Sequence, residues 1–290
     1  MSDSGERDPT RTELQARLDR LVAENRLTIA GLFPAIGAIT LVASAEGLLP
    51  PALAFQPLLL LFGTAVMRSP LLVGLAPAVD RRALALLAAL CGFTWAIELV
   101  GVVTGWPYGA FEYGVSLGPM LFDAVPVALP LFFVPLVLNA YALAISLLDG
   151  RTDATIARPA IALATVVSID LVLDPAAVAI GFWSFDAGGW YHGVPASNYV
   201  GWLLSGTVAV ALVELGFDHR AVRDRLESCA FVLDDLVSFV LLWGLINALY
   251  GNVLPVIVAV GIGLALCSTD RYRVRFDRPR WLARLVFERE

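Results

Sequence analysis

The chain has 290 residues, 58% of them hydrophobic and only 16% charged, with a net charge of −6. Soluble domains carry about 25% charged residues, so a water-soluble globule is excluded and an all-α, polytopic transmembrane bundle is expected. No nucleic-acid partner is expected.

Residues 6–26, "ERDPTRTELQARLDRLVAENR", open the chain as a charged stretch. It is too long and too mixed in charge for a cleavable leader. A cytoplasmic arm over residues 1–26, amphipathic or partly disordered, is predicted. Eight apolar runs follow, near 27–49, 52–67, 83–104, 119–148, 159–182, 198–216, 230–250 and 253–268. A hydrocarbon core of roughly 30 Å needs about 20 residues per helix. The second and eighth runs are short, so seven or nine spans stay open beside eight. Residues 27–268 are read as one membrane domain and 269–290 as a basic tail.

The chain has no lysine, and all its arginines fall in five places. These are the N-terminal arm, the second connection (Arg68, Arg81, Arg82), the fourth (Arg151, Arg158), the sixth (Arg220, Arg223, Arg225) and the tail. By the positive-inside rule both termini are expected in the cytoplasm of a multi-pass cell-membrane protein. Cys91, Cys229 and Cys267 make no disulfide or metal pattern. With His192 and His219 the only histidines, neither a metal nor another cofactor is expected.

That orientation puts two long arginine-free connections, 105–119 and 183–197, on the outer side. Each is dense in aromatic, glycine and proline residues, as an interfacial aromatic belt would also be. Each follows a run carrying an acid at the same offset: Glu98 precedes Gly105 as Asp174 precedes Gly181. At about 1.5 Å per residue both carboxyls lie roughly 10 Å below the outer helix end. Asp123 is expected one turn inside the next helix, near that level. The pattern is a faint repeat of helix, aromatic loop and helix.

Asp170 and Asp174 share a helix face, and Pro175 removes a backbone N–H beside them. A charge in hydrocarbon costs on the order of 3 kcal/mol, so these acids face the bundle interior, for helix packing or for function. Asp234 and Asp235 are read as snorkelling or capping, Glu46 and Glu214 as interfacial, and Asn247 and Asn252 as contacts between helices.

Carboxyls in apolar surroundings favour the protonated form, and aromatic faces stabilise a passing cation. The combination suits protonation of an isolated carbon–carbon double bond in a lipid-soluble substrate, followed by water attack or cyclisation. The segments "ELVGVVTGWPYGAFEY", "LGP", "VPVALPL", "DLVLDPAAVAIGFWSF" and "GGWYHGVPASNYVGW" closely resemble the integral-membrane carotenoid-biosynthesis proteins that act as carotenoid hydratases, haloarchaeal members most of all. The resemblance covers about 27–268. It implies cofactor-free addition of water to the terminal double bonds of a C50 carotenoid held in the bilayer, giving the tertiary alcohols of bacterioruberin. Other membrane enzymes of carotenoid biosynthesis are implied as partners. Tyr108, Phe185 and the "FFV" after Leu131 depart from the family pattern and bear on end-group fit.

In the expected mechanism Glu98 or Asp174 is the acid, and Asp123 or Asp170 orients the attacking water and takes its proton. Trp106, Tyr108, Trp183 and Tyr191 shield the cation. Tyr113, Asn198 and Trp202 complete the expected substrate site. A membrane carotenoid cyclase, a transporter and a non-catalytic pigment binder are the alternatives.

Overall fold

The computed structural model describes residues 9–148 and 155–269, and the chain it describes is mostly helical. The tail beyond Thr269 and the connection holding Arg151 lie outside the described residues. The N-terminal arm forms α1 (Pro9–Glu24). It is docked: the Gln15 amide donates to the Val73 carbonyl at 3.0 Å, and Arg225 reaches Asp19 at 2.5 Å.

Eight further helices carry the apolar runs: α2 (Phe33–Ala45), α3 (Pro57–Leu75), α4 (Arg81–Thr104), α5 (Leu129–Leu147), α6 (Ala157–Ala179), α7 (Ala196–Gly216), then, after the amphipathic α8 (His219–Ser228), α9 (Asp234–Leu249) and α10 (Val253–Ser268). A π-helical turn, Thr28–Leu32, leads into α2. Six of these segments are long and apolar enough to cross a membrane. The other two, α9 and α10, have 16 residues each. The middle of the bundle is α5, almost wholly buried from Phe133 to Ile145.

Two boundaries differ from expectation for identifiable reasons. The third helix begins at Pro57, whose missing N–H suits a first helical turn, with the Gln56 side chain capping Leu59 N at 3.0 Å. It then runs past Arg68, which is paired inside the bundle and need not end it. Pro70 frees the Val66 carbonyl, and the Ser69 hydroxyl takes it up at 2.6 Å. The fourth apolar run does not begin as a helix: 119–128 folds as a hairpin of β2 (Met120–Leu121) and β3 (Val125–Pro126). Phe122 and Asp123 both have positive φ, 52° and 54°, as a type I′ turn requires.

The bundle is polarised. At one end, where α3 finishes and α4 begins, four ion pairs join distant segments: Arg26 to Asp234 (2.6 Å), Arg68 to Asp235 (2.8 Å), Arg158 to Glu214, and Arg225 to Asp19. Asp234 and Asp235 in the first turn of α9 and Glu214 in the last turn of α7 are therefore ion-paired. At the opposite end the two aromatic connections meet. Within them, β1 (Phe111–Tyr113) pairs antiparallel with β4 (Trp183–Phe185), Phe111 opposite Phe185 and Tyr113 opposite Trp183.

Pairs such as Arg158 with Glu214, only 9% and 21% exposed, are costly to halve. Arg158→Met should destabilise the purified protein by about 3–5 kcal/mol, and Arg158→Met with Glu214→Leu should recover most of it. Thermal unfolding of the two variants in detergent checks this.

Candidate active site

The paired ribbon of β1 and β4 roofs a cavity between α4, α5, α6 and α7. Its volume is about 140 Å³, close to the roughly 150 Å³ of an apolar cavity that takes one benzene. That suits one end group of a long polyene. Eleven aromatic side chains line it, together with Glu98, Asp174, Asn198 and Arg68.

Each acid is positioned by its helix end and by the facing connection. Three from the end of α4, Gly101 lets the Tyr108 ring lie against the backbone, since a Cβ there would sit 2.9 Å from Tyr108 Cδ2. Gly201 on α7 receives the other side of the same ring, 2.4 Å from Cδ1 by the same measure. Tyr108 is thus slotted between two helices, near Glu98, Asp170, Asp174 and Ser205. Tyr113, projecting from β1, donates its hydroxyl to Glu98 Oε1.

Asp170 and Asp174 are both buried, and the Asn198 amide from α7 donates to both, to Asp170 Oδ2 at 3.2 Å and to Asp174 Oδ2. Pro175 leaves the Leu171 carbonyl without its helical donor, and the Tyr191 hydroxyl supplies one at 3.2 Å. Asn247 on α9 bonds the next carbonyl, Val172, at 2.8 Å. Side chains from outside α6 therefore hold it at the turn that carries both aspartates.

Burial pushes the phenols of Tyr108 and Tyr113 upward; at Tyr108 the Ser205 hydrogen bond opposes this and the carboxyl neighbours add to it, and at Tyr113 Glu98 adds to it. Burial, then Asp170, pushes Tyr191 up to about 12. All three remain hydrogen-bond donors at neutral pH.

Of the residues expected at the site, Glu98, Asp174, Tyr108, Tyr113, Trp183, Asn198 and Trp202 line the cavity, and Asp170 touches it through Asn198. Three stand apart. Asp123 is exposed in the β2–β3 turn, outside α5, because the hairpin and the turn after Pro126 delay the helix until Leu129. Trp106 is 57% exposed beyond the end of α4. Tyr191 serves α6 and does not line the cavity. The cavity also takes Phe132 and Phe133, among the departures expected to bear on end-group fit, and Phe111, Phe182, Phe239, Trp243 and Arg68, which the sequence does not single out as site residues. Alternation in F-E-Y and W-S-F was the available signal for Phe111 and Phe185, since period two puts Phe111 with Tyr113 and Trp183 with Phe185 on one face.

The model of the family described as "Carotenoid biosynthesis protein" matches residues 55–266. The chain belongs to that family. The bisanhydrobacterioruberin hydratase of Haloarcula japonica is 58% identical over 278 residues, covering 96% of this chain and 94% of its own length. No solved structure matches the chain.

Asn198→Leu leaves two buried carboxyls without their shared donor. Each unsatisfied buried group costs about 1–3 kcal/mol, so the thermal midpoint should fall clearly. Trp106→Ala, altering an exposed ring, should leave it within a degree or so of the parent. Parallel melts of the two purified variants check this family member's packing.

Proposed function

We propose that this protein is a carotenoid hydratase acting on the terminal carbon–carbon double bonds of a C50 carotenoid, converting bisanhydrobacterioruberin to bacterioruberin without a cofactor. The observation that carries the reading is that Glu98 and Asp174, from two different helices, face one aromatic cavity of end-group size. The likeness to a protein named for this reaction, over nearly the full length of both chains, supports it.

In the proposed mechanism a carboxyl, Glu98 or Asp174, gives its proton to the less substituted alkene carbon. The tertiary cation lies against Trp183, Tyr108, Phe132, Phe133 and Trp202, the last two rings stacked at 5.4 Å. Water adds its oxygen to the cation, and a carboxylate takes the water's spare proton, so the acid is regenerated and one water is consumed. Tyr113 orients Glu98, and Asn198 orients the aspartate pair. A cyclase would use the same first step, but its product would carry a ring and no added mass.

Expression in a host that makes the anhydro C50 pigment should give products heavier by the mass of one water per hydrated end. Unchanged pigment mass sinks the hydratase reading. Glu98→Gln and Asp174→Asn should each lose about 10²–10⁴ of the rate, the contribution of a general acid, while Asp123→Asn should keep wild-type rates. Near-normal hydration in both site variants removes them from the acid role.

We further infer eight spans with both termini in the cytoplasm. The ion-paired arginine end would face inward and the paired ribbon outward. Reporter fusions after Ser116 and Gly188 should report outside, and those after Asp80 and Arg223 inside. A cytoplasmic signal at Gly188 contradicts this arrangement.

A further inference from the structure

The cavity has a second polar pole that the proposed chemistry leaves unused. Arg68 enters its wall from α3, about 11 residues from the start of that helix, whereas Glu98 lies six from the end of α4. At 1.5 Å per residue Arg68 is roughly 7 Å deeper. Every other charged or amide group lining the cavity, Glu98, Asp174 and Asn198, belongs to the outer pole.

Arg68 Nη1 donates to Asp235 Oδ1 at 2.8 Å, and Asn139 Nδ2 from α5 donates to Asp235 Oδ2 at 2.6 Å. That arrangement uses both oxygens of Asp235 and leaves two buried atoms with no partner among the described residues, Arg68 Nε and Asn139 Oδ1. One is a donor and the other an acceptor. Water, which donates and accepts, is the small molecule that answers both.

The triad lies next along α9 to an ion pair that reaches solvent. Asp235 follows Asp234, whose two oxygens accept from Arg26 at 2.6 and 2.8 Å, and the Arg26 side chain is 37% exposed. Two ion pairs on successive residues of α9 therefore stand between the half-exposed Arg26 and Arg68 in the cavity wall. The opposite end is roofed by the ribbon, with Phe111 and Phe185 rings 6.0 Å apart. Resting on the hydratase reading, which consumes one water per double bond, we infer that water enters from the arginine end along Arg26, Asp234 and Asp235 and is held at the cavity wall by Arg68 and Asn139. Arg68 is then a positioning residue for the attacking water, and the protonation step does not need it.

This separates two steps that a purely structural role would leave together. A cation that meets no water returns a proton from a neighbouring carbon to the carboxylate, giving a double-bond isomer of unchanged mass. Arg68→Lys keeps a cation facing Asp235 but removes Nε. Arg68→Met with Asp235→Asn removes both charges at once. With monodisperse elution established for each, alcohol formation from the anhydro C50 pigment should fall about tenfold, the effect of one lost hydrogen bond. The ratio of isomer to alcohol should rise by a similar factor, with KM for the pigment unchanged. If alcohol and isomer fall in proportion, or if both variants hydrate at the wild-type rate, Arg68 does not deliver water. Radiolytic hydroxyl labelling of the unmodified protein gives an answer independent of any variant: Phe239, in the wall near Arg68, should be labelled, and an unlabelled Phe239 overturns the path. A wild-type protein that makes no alcohol fails the hydratase reading, whereas labelling of Phe239 still reports on the water path.

Discussion

A polar group inside an apolar bundle has to find its partner within the protein, and the rest of this structure follows from that requirement. Asn198 stands between Asp170 and Asp174, and Tyr113 meets Glu98. The same demand applies to the backbone. Pro70 and Pro175 each release a carbonyl, and Ser69 and Tyr191 each answer one. At both of these prolines a side chain close by in space supplies a donor. In α6 the turn so braced carries Asp174 into the cavity wall and Asp170 one turn behind it.

Much of this was legible in the chain because membrane helices announce themselves by length and hydropathy. The apolar runs, the aromatic connections and the matched offsets of Glu98 and Asp174 all reappear as neighbours in space. The misplacements share one cause: local sequence does not say which distant group a polar residue will meet. Arg68 reads as a loop arginine until Asp235 is found opposite it, 167 residues away. Tyr191 reads as a pigment contact until the Leu171 carbonyl is seen to need a donor. Asp123 reads as helical because the run 119–148 is mostly apolar, although Pro119 and Pro126 bracket it and the hairpin turn between them takes positive φ.

The two halves, α4 to α5 and α6 to α7, use one plan with different fittings. Gly105 and Gly181 end α4 and α6 alike, each with φ 72°, and the strands beyond them pair with each other. Yet Glu98 is held by a phenol from its own connection, whereas Asp174 is held by an amide from α7 and has Asp170 one turn away. Two acids in such unlike settings are suited to different tasks, in the way that environment divides roles between paired carboxyls elsewhere.

The pairing of β1 with β4 ties together connections that belong to separate helical hairpins. Neither can swing aside without breaking the ribbon, and Tyr108, gripped by Gly101 and Gly201, anchors the first of them to the helices below. On the proposed hydratase reading, a polyene that never dissolves in water would enter sideways, from the lipid and between helices. Supply is then two-dimensional: the quantity that governs occupancy is the mole fraction of pigment among the surrounding lipids, and enlarging the membrane at constant pigment dilutes the substrate even when the bulk amount stays the same.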